Sequence, residues 1–195
     1  MDSQTLHAYD SNAASFADDW LAQPAPDDMY ALLSEHFAPG PTADIGCGAG
    51  RDVAWLNANG FDAAGYDGSA GLLEEAQRRY PTLTFESALL PALDGVPTGQ
   101  FQNVLCETVI MHLDPGDVPA ATARLLALLR PGGTLYLSWR VTDDASQRDK
   151  HQRLYAAFDA QSVLDACAGH HVLFNKTETS LSSGKTIQRL IVRKP

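Results

Sequence analysis

The chain opens on a helical stripe. Tyr9, Ala13, Phe16 and Trp20 recur at three- and four-residue steps, which predicts one amphipathic helix over 6–20. Gln23-Pro24-Ala25-Pro26 breaks it, and Asp27-Asp28 suits the positive end of a second helix running to about 37. Pro39-Gly40-Pro41 ends that segment. From Thr42 onward, short apolar runs alternate with helical stripes. Strands are predicted over 42–45, 61–66, 83–86, 101–106 and 134–139. Helices are predicted over 51–59, closed by Gly60, over 71–80, stopped by Pro81, and over 119–129, ended by Pro131-Gly132-Gly133. Beyond these, 141–150 is polar and reads as loop, and 162–168 as a last helix. Segments 172–180 and 186–193 flank the turn-rich Leu181-Ser182-Ser183-Gly184-Lys185 and suit an antiparallel hairpin.

Strands alternating with helices imply an α/β fold, a mostly parallel sheet covered on both faces and closed by that hairpin. Ligands of such sheets bind outside the carboxyl ends of the strands, so chemistry is expected in the loops that follow them. The 195 residues fit one domain, with a helical segment 1–40 leading into a core 41–195. A hydrophobic share of 45% against 19% charged residues is that of a globular chain. No apolar run approaches the roughly 20 residues that span a bilayer. Met1-Asp2-Ser3-Gln4-Thr5 lacks the basic and apolar regions of a signal peptide, so the expected location is cytoplasmic.

Cys47, Cys106 and Cys167 lie far apart without a C-x-x-C pair, which argues against a disulfide scaffold and a zinc site. His170-His171 lacks a spaced partner for a metal. The stretch from Asp143-Asp144 to His151 is charged and reads as a solvated loop. The fold could bring Asp114 and Asp143 together, but nothing in their spacing asks for a metal. With 24 acids against 14 bases the net charge is −10, a field that repels nucleic acid and favours a neutral or cationic small partner.

Asp44-Ile45-Gly46-Cys47-Gly48-Ala49-Gly50 sets three glycines at alternate positions between a predicted strand and a predicted helix. Glycine there permits positive φ and close approach of a ligand to the backbone. The dinucleotide fingerprint needs G-x-G-x-x-G, and here Arg51 stands where its third glycine belongs. A tight turn without any ligand is the competing explanation. Asp67 ends the second predicted strand, 17 residues past Gly50, where an acid can chelate both hydroxyls of a ribose. It could instead cap a helix, as the following Gly68-Ser69 invites. Loop and acid together in one β-α-β unit favour a bound nucleoside.

These residues carry a resemblance. Residues 44–50 resemble motif I of the class I S-adenosylmethionine-dependent methyltransferases, and Tyr66-Asp67-Gly68-Ser69 resembles their second motif. Leu128-Leu129-Arg130-Pro131-Gly132-Gly133-Thr134-Leu135 is similar to the turn before their fifth strand. Cys106-Glu107-Thr108-Val109-Ile110-Met111-His112-Leu113 resembles the fourth-strand segment of small members of the tellurite-resistance type. The resemblance implies a three-layer Rossmann-like sandwich with a mostly parallel seven-stranded sheet, and S-adenosylmethionine as cofactor. By the same resemblance Gly46, Gly48 and Gly50 lie against the methionine portion and ribose, in a loop that also carries Cys47 and Arg51. Asp44 holds that loop and helps place the amino group, and Asp67 takes the ribose hydroxyls. Gly68 and Ser69 pass beside the adenine, Glu86-Ser87 stands where the family often has an acid near the adenine amino group, and Glu107 and Thr108 face the sulfonium end.

Methyl transfer from a sulfonium is an in-line displacement, so alignment and water exclusion carry much of the catalysis. A base is needed only if the acceptor must lose a proton before attack. His112 is then the first candidate base, with a packing role as its alternative. Glu107 is another, with cofactor anchoring as its alternative. Tyr9 sits where the family often folds a lid, and could equally pack with Phe16 and Trp20. Trp139 and Arg140 end the fifth predicted strand, so either could touch a substrate. A lid drawn from 1–40 fits a small, partly apolar or heteroaromatic acceptor handled by a monomer or homodimer, with no nucleic acid or membrane partner. Two rivals stay open: a nicotinamide-dependent oxidoreductase, and a non-catalytic S-adenosylmethionine-binding module.

Overall fold

A computed structural model describes residues 1–142 and 145–195. Three helices come first, α1 (Ser3–Ser11), α2 (Ala13–Ala22) and α3 (Asp27–His36). The alternating part follows as β1 (Pro41–Ile45), α4 (Arg51–Ala58), β2 (Asp62–Asp67), α5 (Ala70–Arg79), β3 (Thr84–Ser87) and β4 (Phe101–Cys106). It continues through α6 (Val118–Leu128), β5 (Leu129–Arg140), two short strands β6 (Gln147–Arg148) and β7 (Leu154–Tyr155), α7 (Ala160–Ala166), β8 (His171–Thr179) and β9 (Thr186–Arg193).

Seven strands form one sheet in the order β3-β2-β1-β4-β5-β9-β8. Every pair from β3 to β5 is parallel, and β9 runs antiparallel to both β5 and β8. The order reverses direction between β1 and β4, and that switch point opens a crevice at the carboxyl end of the sheet. Helices α3, α4 and α5 cover one face through Met29, Leu33, Val53, Leu56, Leu73 and Ala76. The opposite face packs against Val118, Ala121 and Leu125 of α6 and Val163 of α7. This is the three-layer sandwich with a mostly parallel seven-stranded sheet. No helix among the described residues is long and apolar enough to cross a membrane.

Three elements depart from the sequence pattern. The single helix expected over 6–20 is two, because Asn12 leaves helical geometry with φ −128° and ψ 23°. Asn12 Nδ2 donates to Ala8 O at 3.0 Å, closing α1, while Asp10 Oδ1 accepts from Ser69 Oγ at 2.6 Å and Gly71 N at 3.2 Å, pinning the end of α1 to the start of α5. Part of the polar stretch 141–150 is not loop, since β6 pairs with β7 in a small antiparallel sheet. The turn at Pro131-Gly132-Gly133 sits inside β5 as a bulge, between the pairs Phe101–Leu129 and Asn103–Thr134. Asp143 and Asp144 lie outside the described residues, and with them any pairing of Asp114 with Asp143.

Candidate active site

The crevice holds a cavity of about 460 Å³. One end is main chain. Gly46 N and Cys47 N both donate to Tyr66 O, at 2.7 and 3.1 Å, which folds the loop after β1 back over β2. Gly46 has φ +76°, and a Cβ on it would stand 2.3 Å from Val109 Cγ2. The Asp67 carboxylate spans the two loops, accepting from Gly48 N through Oδ2 and from Ser69 N through Oδ1, both at 2.8 Å. Burial pushes its pKa up against the pull of these backbone donors. Each carboxylate oxygen can accept two hydrogen bonds, so Asp67 keeps acceptor capacity toward the cavity that it lines.

Further carboxyls surround this end. Asp52 and Glu107 line the cavity, and Asp44 lies buried beneath the loop with Oδ2 unpartnered. Burial, then the charges of Asp52 and Asp67, push Asp44 well above the ordinary carboxylate range. Glu107 is also pushed up by burial, and accepts a hydrogen bond from Ser138 Oγ. Arg51 faces the cavity with its guanidinium already committed, Nε and Nη2 donating to Asp52 at 2.9 and 3.0 Å. Thr108, beside Glu107, adopts φ +55°, a left-handed conformation costing a non-glycine residue about 1–3 kcal/mol. Its N–H is held by Ser138 Oγ at 3.0 Å.

The other end is side chain. Tyr9 Oη and His112 Nε2 lie 3.0 Å apart, and His112 Nδ1 lies 2.5 Å from Leu154 O. A carbonyl only accepts, so Nδ1 carries the ring proton and Nε2 accepts from the Tyr9 hydroxyl. Burial pushes the imidazole down to about 4 and the Tyr9 phenol upward, so both are neutral near pH 7. The Arg153 guanidinium lies 5.4 Å from the Tyr9 ring centre and 4.6 Å from that of Phe16. The turn of the β8–β9 hairpin reaches the cavity through Ser180, Ser182 and Lys185. Asp28 of α3 holds it there, accepting from Leu181 N at 3.1 Å and from Arg189 Nη2 at 2.5 Å.

The cavity thus brings together Tyr9, Gly46, Cys47, Gly48, Arg51, Asp67, Gly68, Glu107, Thr108 and His112. Five expected residues stand apart. Gly50 begins α4 and turns toward the core, where a Cβ would meet Phe85 Cζ at 2.7 Å. Ser69 is fully buried as the N-cap of α5, its Oγ accepting from Leu72 N at 3.2 Å. Glu86 and Ser87 lie exposed on the edge strand β3, while Ala88 and Leu89 line the cavity in their place. Asp44 makes no hydrogen bond to the loop it was expected to hold. Of the pair ending β5, Arg140 lines the cavity and Trp139 packs against Phe158 in the core. Asp52, Arg153 and Tyr155 are wall residues that no sequence motif marks.

Comparison with known proteins agrees with this geometry. Residues 43–133 match the family described as a methyltransferase domain. Over 157 residues the chain is 33% identical to methyltransferase-like protein 27 of Homo sapiens, covering 74% of this chain and 61% of that protein. It is 35% identical over 100 residues to the ubiquinone biosynthesis O-methyltransferase of Methylococcus capsulatus, covering 49% of this chain and 41% of that one. The chain therefore spans less than two thirds of the length of either relative. Among solved structures, the 1,6-didemethyltoxoflavin-N1-methyltransferase of Burkholderia thailandensis, with 1,6-didemethyltoxoflavin and S-adenosylhomocysteine bound, has the same fold. Its TM-score is 0.75 at 23% identity, over 98% of this chain and 88% of that one. The stretch that carries the glycine loop, Asp67 and Glu107 is the matched methyltransferase domain itself, and it is similar to the domains of class I S-adenosylmethionine-dependent methyltransferases.

Proposed function

We propose that this protein transfers the methyl group of S-adenosylmethionine to N, O or S of a small molecule. The observation that carries the proposal is one cavity shared by bare glycine backbone at Gly46 and Gly48, the Asp67 carboxylate and the Glu107 carboxylate. Such a wall fits a cationic nucleoside. Gly46 leaves no room for a side chain, and the carboxyls of Asp52, Asp67 and Glu107 that line the cavity favour positive charge. Asp67 would accept from the ribose hydroxyls, Gly68 and Leu89 would flank the base, and Glu107 with Thr108 would face the sulfur. When bound, the cofactor supplies an electrophilic methyl group on a cationic leaving group.

The chain's own contribution is alignment and shielding. We assign helices α1 and α2 as the lid of a single domain, because Tyr9, Trp20 and Leu21 close the cavity above the glycine loop. Trp20 Cζ3 stands 3.0 Å from where a Cβ of Gly48 would be. His112 is a poor general base at neutral pH, since a conjugate acid near 4 gives its proton up readily. Its neutral ring holds the Tyr9 hydroxyl, so both act here as positioning residues.

Isothermal titration with S-adenosylmethionine and S-adenosylhomocysteine tests the cofactor assignment; binding of both is expected, and binding of neither overturns it. Retention of labelled NAD instead would favour an oxidoreductase. Mass-spectrometric detection of methylated product across small acceptors separates an enzyme from a non-catalytic binder.

A further inference from the structure

We infer that the acceptor is a small organic anion, held by the Arg140 guanidinium with Arg153 behind it. The inference rests on the methyltransferase reading and concerns the end of the cavity away from the glycine loop. Two guanidiniums converge there on one ring, Arg140 Cζ at 4.8 Å and Arg153 Cζ at 5.8 Å from the centre of Tyr155. All three side chains line the cavity. Arg153 is engaged, pairing with Asp149 at 2.7 Å and stacking on Phe16. Arg140 has no carboxylate within ion-pair distance among the described residues, although the protein carries ten more acids than bases.

Position along the sheet separates the two charge types. Glu107 is bonded to Ser138, and Arg140 lies two residues further along β5 on the same face, about 6–7 Å beyond it at the usual strand rise. Asp52, Asp67 and Glu107 crowd the inner end, where Arg51 is already paired with Asp52, while Arg140 stands at the outer one beside Arg153. A net charge of −10 predicts repulsion of anions at long range, yet screening over about 8 Å in physiological salt leaves the nearest groups in control. A guanidinium fork matches a carboxylate or a phosphate monoester, and the Tyr155 ring offers an apolar face beside it.

The test uses full-length protein saturated with S-adenosylhomocysteine and titrated calorimetrically with four matched probes, benzoate, phenyl phosphate, benzamide and benzylamine. At least one anion should bind tenfold or more tightly than benzamide and benzylamine. Arg140→Gln should weaken that anion at least tenfold, and Arg140→Lys should recover part of the loss. Benzoate binding more tightly identifies a carboxylate acceptor, and phenyl phosphate a phosphate ester. Neutral or cationic probes binding as well as the anions, an anion affinity unchanged in Arg140→Gln, or no binding of any probe to the loaded protein would each overturn the inference. Failure of S-adenosylhomocysteine itself to bind would instead overturn the methyltransferase reading beneath it.

Discussion

At the glycine-loop end of the cavity the turns after β1, β2 and β4 of one sheet supply bare backbone together with the carboxyls of Asp67 and Glu107. At the arginine end the walls are side chains from positions as distant in sequence as Tyr9, His112, Arg140 and Tyr155. A wall of main chain obeys local rules, so it shows as a motif and tolerates no added Cβ. A wall of side chains depends on tertiary placement, so it leaves no motif and yields more readily to substitution. The first kind suits a ligand common to many proteins, and the second a ligand particular to this one.

The steepest test of that contrast is Gly46→Val. A β-branched residue at φ +76° with its Cβ 2.3 Å from Val109 meets both backbone strain and overpacking. Together these should lower stability by about 4 kcal/mol, and S-adenosylhomocysteine binding should vanish. Urea denaturation and calorimetry read the two effects, and a variant as stable as the wild type would undo the argument from main chain.

At the arginine end the largest effect is one of pH. His112 falls from 6.5 to about 4 in the fold, so the unfolded chain takes up its proton first as pH drops. The stability this group contributes is complete above pH 6.5 and is lost as pH falls through about 4, a total near 3 kcal/mol at 1.36 kcal/mol per pH unit. Asp44, Asp67 and Glu107, raised by burial, have the opposite sign and cost stability as pH rises. The difference between wild type and His112→Gln isolates the imidazole: between pH 6.5 and 4 the wild type should lose about 3 kcal/mol more. Parallel pH profiles would mean that the ring is not held neutral.

Asp67→Ala removes a charged acceptor and should weaken S-adenosylhomocysteine by about 2 kcal/mol, roughly thirtyfold. An unchanged affinity would take the ribose role from this carboxylate. Smallest is Tyr9→Phe, which leaves the buried His112 Nε2 without a donor. A loss of about 1 kcal/mol, seen as a drop of about 3 °C in Tm, is expected. A larger drop would make this pair a structural pillar on a par with the glycine loop.

What could be read in the chain follows the same division. The strand over 101–106 and the glycine loop are where sequence and structure coincide, because apolar runs and alternate glycines are local signals. The break at Asn12 was hidden, since no glycine or proline marks it and the cause lies in α5. Ser69 carries a motif position yet serves as a helix cap, a role that the same residue type fills equally well. Glu86 matched a family position, but strand alternation on β3 turns it outward. Arg153 and Tyr155 sit in and beside a two-residue strand too short to show periodicity.

Thr108 has an engineering consequence. A β-branched residue kept at φ +55° where β4 ends is a conformational debt that glycine would cancel, so Thr108→Gly should raise the melting point by relieving about 1 kcal/mol. A directed-evolution campaign scored on heat tolerance alone would favour that exchange. It would also loosen the turn held by Ser138 Oγ that sets Glu107 against the cavity, exchanging rigidity of the site for heat tolerance.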